Sequence, residues 1–138
     1  MELFVIGPRV NPINEEIAGY HYLGDLNFNE VSVYFREFDI FCMPSYFEAY
    51  GLVFIEALAS GLPCIGRDCY EMPYFIDEGK TGLLLKNDSP EELASLMSEL
   101  LINKKYKENV EAMKLWYISE YSWDSVAKRM YDFIEKRN

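Results

Sequence analysis

The sequence predicts an α/β domain built on an open, mostly parallel sheet of about five strands with helices on both faces. Three observations lead there. Short apolar runs recur through the first 85 residues, each closed by Gly, Pro or a polar break. Segments with apolar residues at helical spacing lie between several of them. Helical patterns then continue alone from residue 90 onward. Apolar runs without alternation fit strands covered on both faces, which is where parallel strands sit.

The elements follow in order. Leu3-Phe4-Val5-Ile6-Gly7 reads as a buried strand ended by Gly-Pro. Residues 10–19 are polar, with Asn, Pro and Gly, and read as a loop with at most one helical turn around Asn14–Ala18. His21-Tyr22-Leu23-Gly24 is a second short strand. Asn27, with Glu30 three residues on, has the form of a capping box, and Phe28, Val31, Tyr34, Phe35 and Phe38 follow at helical spacing. Asp39–Met43 reads as the next buried strand. The chain breaks at Pro44-Ser45, turns at Gly51, and takes a helix pattern from Leu52 to Gly61. Pro63-Cys64-Ile65-Gly66 and Thr81–Leu85 are further strands, with a short helix expected over Glu71–Glu78. Ser89-Pro90-Glu91-Glu92 is a helix start, with Ser at the cap and Pro at the first turn. Two more helices are expected over residues 105–138, the last capped by Ser122 with Trp123, Val126, Ala127, Met130, Phe133 and Ile134 on one side.

A chain of 138 residues reads as one domain. Half of it is hydrophobic, which argues against disorder. No apolar run is long enough to span a bilayer, and Met1-Glu2-Leu3-Phe4 lacks the basic start of a signal peptide, so a cytoplasmic location is expected. The three cysteines, Cys42, Cys64 and Cys69, have no zinc spacing, and no metal is expected. A net charge of −10 disfavours nucleic acid as a partner. Residues 1–70 hold ten Asp and Glu against three basic residues, Arg9, Arg36 and Arg67. An anion site in that half must therefore use backbone N–H groups, those arginines, or groups outside the chain.

The stretch 44–61 carries the chemistry. Ligands of open α/β sheets sit beyond the C-terminal ends of the strands, and the loop 44–51 lies at such an end. The helix start at 51–53 aims free N–H groups there, which suits phosphate. Glu48 suits hydroxyl groups as an acceptor. Glu56, eight positions on and inside the helix, suits a hydroxyl pair such as a ribose diol. Sugar, diphosphate and ribose would match carboxylate, amides and carboxylate. Arg9 and Arg67 each follow an apolar run at the ligand end and are candidate phosphate contacts. A loop Glu is usually solvated and a helical Glu usually faces water, so both readings stand at this point. Against that, apolar neighbours surround Glu56, and an acid inside such a helix needs a partner. His21 reads as a strand-surface residue, and Trp116 and Trp123 as core.

The pattern Pro-Ser-x-x-Glu-x-x-Gly-Leu-x-x-x-Glu-Ala-x-x-x-Gly-x-Pro over residues 44–63 resembles the signature of the retaining GT-B glycosyltransferases of group 1, family 4. Asp68, Pro73, Gly79-Lys80-Thr81-Gly82-Leu83-Leu84 and Ser122-Trp123 extend the likeness, as do Leu23-Gly24 and Asp39–Ser45 upstream. The resemblance implies a Rossmann-like domain, the donor-binding C-terminal half of a GT-B fold. It implies Glu48 at the donor sugar in the catalytic position and Glu56 at the ribose. It puts the amides of Ala49, Tyr50, Gly51, Leu52 and Val53 at sugar and phosphate, and Gly24, Asp25 and Leu26 near the nucleobase. The reaction implied is transfer of a sugar from a nucleotide-diphosphate sugar with retention, without metal or other cofactor. The implied partners are the nucleotide sugar and an acceptor-binding N-terminal domain or separate subunit. Any peripheral membrane association would run through the full enzyme, and the chain alone is expected not to turn over. Where the family has Gly-Gly-x-Pro-Glu after Asp68, this chain has Tyr70-Glu71-Met72-Pro73-Tyr74, so close backbone approach there is not expected. The competing class is a non-catalytic nucleotide-binding or protein-interaction module of the same fold. A phosphorylase of this fold would need a pyridoxal-phosphate lysine, and residues 1–70 contain no Lys.

Overall fold

The structure is a computed structural model that describes residues 1–8 and 16–136. The chain divides into two compact units, Met1–Tyr34 and Phe35–Asn138. In the first unit β1 (Leu3–Ile6) pairs in parallel with β2 (Tyr20–Gly24), with a register shift between Val5 and Ile6. His21 is exposed on β2, as expected, stacked on Phe4 and paired with Glu2. Helix α1 (Phe28–Glu37) starts with the expected capping box. The Asn27 side chain accepts from the N–H of Asn29 and Glu30, and Glu30 accepts from the N–H of Asn27 at 2.8 Å. Of its apolar residues Phe35 is buried, whereas Phe28 faces solvent.

The second unit holds β3 (Phe41–Cys42), α2 (Leu52–Ala59), β4 (Cys64–Arg67), α3 (Met72–Phe75), β5 (Gly82–Leu85) and then α4 (Pro90–Ile102), α5 (Lys105–Tyr121) and α6 (Trp123–Glu135). Its sheet is parallel throughout, in the order β3-β4-β5. The five expected strands and their parallel pairing are present, but they form two separate ladders, one of two strands and one of three. The strand expected over Asp39–Met43 is reduced to two residues, with Phe41 N–H and Met43 N–H bonded to Pro63 and Ile65 carbonyls.

Side chains alternate along β4, and the alternation places helices on both faces of this sheet. Ile65 packs on one face with Leu100 of α4, Tyr106 of α5 and the half-buried Leu93, Leu96 and Met97. Cys64 and Gly66 point the other way. The Cys64 thiol approaches the Phe54 carbonyl of α2, and Gly66 lies under Met72 and Ile76. Phe54, Leu58, Leu62, Ile65, Met72, Ile76 and Val110 are fully buried and form the core of this unit. Gly82 is fixed by close approach: a Cβ there would lie 2.0 Å from the Cys64 carbonyl oxygen. The short helix expected over Glu71–Glu78 ends at Phe75. Ile76 turns extended, and Thr81 holds the following turn by accepting from Asp77 N–H.

The expectation that the two tryptophans of the C-terminal helices are core fails. Trp116 is 49% exposed and Trp123 85%, so neither is core. Helix α6 buries no residue at all, although Ser122 caps it as expected by accepting from Ser125 N–H. Its side chains have α5 as principal neighbour, and Arg129 ties the two helices through the Glu120 carboxylate and carbonyl. Periodicity marks a face as apolar without saying whether anything packs on it. Among the described residues no helix is long and apolar enough to cross a membrane.

Candidate functional site

The loop between β3 and α2 begins where the sheet ends, at Pro44, and closes at Gly51. Gly51 has φ 75°, a left-handed conformation that glycine adopts without strain. A side chain at that position would also meet Phe54 at 3.1 Å and the Glu48 Cγ at 3.3 Å. The turn therefore needs glycine twice over, for its backbone and for the space that Glu48 occupies. Helix α2 starts at once, without a side-chain cap.

An uncapped helix leaves its first N–H groups without partners. Here the gap is longer than one turn. Phe54 N–H bonds to the Gly51 carbonyl at 3.0 Å. The five preceding N–H groups, those of Ala49, Tyr50, Gly51, Leu52 and Val53, have no partner among the described residues. They form a run of donors at the positive end of the α2 dipole, beside the Glu48 side chain. Such a run has the donors and the dipole to bind an anion such as phosphate.

Glu56 lies one turn below, about 6 Å down the helix from Leu52 by helical rise. Its neighbours Ile55, Ala57 and Leu58 are buried, and it is itself half-buried. Burial pushes its carboxyl pKa above the ordinary glutamate range. No hydrogen bond or ion pair reaches its carboxylate from the described residues. The sequence calls for a partner to this acid, and the described residues do not supply one. Glu48 is also half-buried, in the loop.

Arg67 ends β4 at the same end of the sheet. Its Nε and Nη2 donate to the Pro44 carbonyl at 3.2 and 3.1 Å, and its Nη1 pairs with the Asp88 carboxylate. Its guanidinium lies 4.0 Å over the Tyr46 ring. Arg9 lies outside the described residues. Gly24, half-buried with φ 74°, and the exposed Asp25 and half-buried Leu26 belong to the first unit, after β2. The loop, Glu56 and Arg67 belong to the second.

Sequence reading missed the partners of Arg67. Pro44, Tyr46 and Asp88 are each about twenty residues from it in sequence, and no spacing rule joins them to it. Tyr70 is the one described residue other than glycine with positive φ, at 51°. Its only sequence signal is that it stands where the resembled pattern has glycine. Among the described residues no cluster of three His, Cys, Asp or Glu side chains comes together as a metal site. Two shallow grooves are lined by other residues. One of about 350 Å³ is lined by Tyr20–Leu23, and one of about 290 Å³ lies between α3 and α5. Neither includes Glu48 or Glu56.

Comparison with known proteins adds the following. Residues 13–116 match the family described as glycosyl transferases group 1. A D-inositol 3-phosphate glycosyltransferase of Corynebacterium kroppenstedtii is 34% identical over 104 residues, covering 75% of this chain and 23% of that protein. A GDP-mannose-dependent alpha-(1-6)-phosphatidylinositol monomannoside mannosyltransferase of Mycobacterium tuberculosis is 28% identical over 121 residues, covering 82% of this chain and 31% of that protein. The chain thus spans about a quarter to a third of the length of these relatives. Among solved structures, the sucrose-phosphate synthase of Thermosynechococcus elongatus superposes with a TM-score of 0.74 at 23% identity, over 86% of this chain and 30% of that one. WaaG, a glycosyltransferase involved in lipopolysaccharide biosynthesis, superposes with a TM-score of 0.66 at 25% identity, over 82% of this chain and 33% of that one.

Proposed function

The chain belongs to the group 1 glycosyl transferases, and from that premise we propose that it is the donor-binding part of a retaining enzyme that transfers a sugar from a nucleotide-diphosphate sugar. The observation that carries this reading is the run of five unpartnered N–H groups, Ala49–Val53, flanked by Glu48 and Glu56. The diphosphate takes the amides and the positive end of the α2 dipole. These offset the charge that builds on the leaving group as the glycosidic bond breaks. Glu56 accepts from the ribose hydroxyls, which gives its carboxylate the donors it lacks among the described residues. Glu48 accepts from a hydroxyl of the donor sugar and orients the ring above the amides. The incoming acceptor attacks the anomeric carbon from the face the diphosphate leaves, so the configuration is kept. Gly24, Asp25 and Leu26 contact the nucleobase in this reading. A GDP-mannose-dependent relative supports a nucleotide-diphosphate sugar as donor.

An acceptor domain or subunit completes the site in this proposal, and the chain alone binds donor without turnover. The site uses amides and carboxylates and calls on no metal or other cofactor. A second reading, an interaction module of the same fold, is favoured by one observation: Leu115, Trp116, Trp123, Met130 and Tyr131 stand exposed on α5 and α6.

Calorimetric titration of the chain with UDP, GDP and ADP, and with their sugars, separates the two. One nucleotide diphosphate should bind, and Glu56→Ala should weaken it by about tenfold or more, the loss of hydrogen bonds to a charged acceptor. A folded chain that binds none of these ligands would sink the donor-site reading.

A further inference from the structure

We propose that Arg67 is a positioning residue, which fixes the loop 44–51 against the segment leaving β4 and does not itself touch phosphate. What the loop binds rests on the donor-site reading above; how the loop is held does not.

The loop cannot hold its own shape. The N–H groups of Ala49, Tyr50 and Gly51 bond to nothing among the described residues, so no backbone ladder or turn of their own making fixes them. Among the described residues, the side-chain hydrogen bonds and ring contacts that reach it from outside come from residues 67–75. The Arg67 fork puts two N–H groups on one acceptor, the Pro44 carbonyl. Pro44 has no N–H to offer the sheet, so this carbonyl is its one polar backbone group. The guanidinium covers the Tyr46 ring at 4.0 Å. The Phe47 ring meets Tyr70 edge-on at 5.4 Å, and Tyr50 meets Phe75 at 5.4 Å. Tyr70 makes its contact from a left-handed backbone that a tyrosine rarely adopts.

The same contacts remove Arg67 from phosphate duty. Three of its five N–H groups are spent within the protein, and the Tyr46 ring lies against one face of the guanidinium. Its side chain is only 15% exposed. The Asp88 carboxylate offsets its charge and, placed ahead of α4, orients the fork toward Pro44. A phosphate ligand would sit poorly beside that carboxylate, whereas a clamp needs it.

Lysine distinguishes the two roles, because it keeps the charge and loses the planar fork. Backbone ¹⁵N order parameters of the ligand-free chain give the readout. In Arg67→Lys, Arg67→Ala and Asp88→Asn, amides 45–50 should fall from about 0.85 toward about 0.6, the passage from rigid to flexible backbone. Amides of β4 and β5 should keep their values, which shows that the sheet is intact. Tyr70→Phe should leave the loop rigid and Tyr70→Ala should loosen it. Unchanged loop order parameters in Arg67→Ala would overturn the clamp. So would nucleotide affinity that is lost in Arg67→Ala and restored in Arg67→Lys, since a point charge would then suffice. A loosened loop in a chain that binds no nucleotide supports the clamp and counts against the donor-site reading alone.

Discussion

Glu56 joins a carboxylate to a helix that is otherwise nearly all apolar. Its partial burial raises its pKa in the folded state. The sign follows from linkage: a group whose folded pKa lies above its unfolded value favours folding at low pH and loses that contribution as pH rises through the folded value. Glu56→Gln should therefore be the more stable protein at about pH 7, with the gap closing toward about pH 3, below the unfolded value, where both states hold the proton. Urea midpoints of the two proteins across that range measure it. The thiols divide in the same way. Burial pushes Cys42 up to about 12. It also raises Cys64 well above the ordinary thiol value, with Cys42 adding to the shift. A thiol reagent at about pH 8 should thus label Cys69 in the folded protein long before the other two. Unfolding in urea should release all three. At this scale the sequence is legible where a residue and its surroundings lie within one turn of helix, as for Glu56 among Ile55, Ala57 and Leu58. It is silent where partners come from different loops, as Asp88, Tyr46 and Pro44 do around Arg67.

Helix boundaries set by side chain-to-backbone bonds are readable because both partners are local. Asn27 with Glu30, Ser89 and Ser122 all cap as their sequences predict. Ser89 Oγ accepts from Glu92 N–H at 3.2 Å, and Glu92 in turn accepts from the N–H of Lys86 and Asn87. Ser89→Ala should cost about 1 kcal/mol, a typical loss for a cap. Calorimetry should show this as a fall of about 3–5 °C in the unfolding midpoint. Lengths that depend on distant partners are not readable in this way. β3 is shorter than its apolar run because a strand extends only as far as its neighbour pairs with it. α3 stops early because the Asp77–Thr81 turn draws the chain toward β5. Helix α6 is a third case, since its pattern fits a packed helix and yet none of its residues is buried.

For the whole molecule the alternation of strand and helix was enough to reach the parallel α/β architecture. It was not enough to show two ladders where one sheet is expected, because apolar runs mark strands and leave their edge partners open. The same holds for the site. Its amides and acids fall in one continuous stretch, and its brace does not. A net charge of −10 on a chain of this size makes the compact state repel itself. Raising monovalent salt from about 10 mM to about 150 mM should therefore raise the thermal midpoint, as the screening length shortens to about 8 Å. A midpoint that falls with salt would mean that the ion pairs outweigh the net repulsion. Helix α6 bears on what the molecule loses first. A serine cap and an arginine tie it to α5, and none of its own residues is buried. It can open while the β3–β5 ladder stays closed. A protease that samples such openings would trim the chain from that end and leave behind a shorter protein with its sheet, its loop and its arginine brace complete.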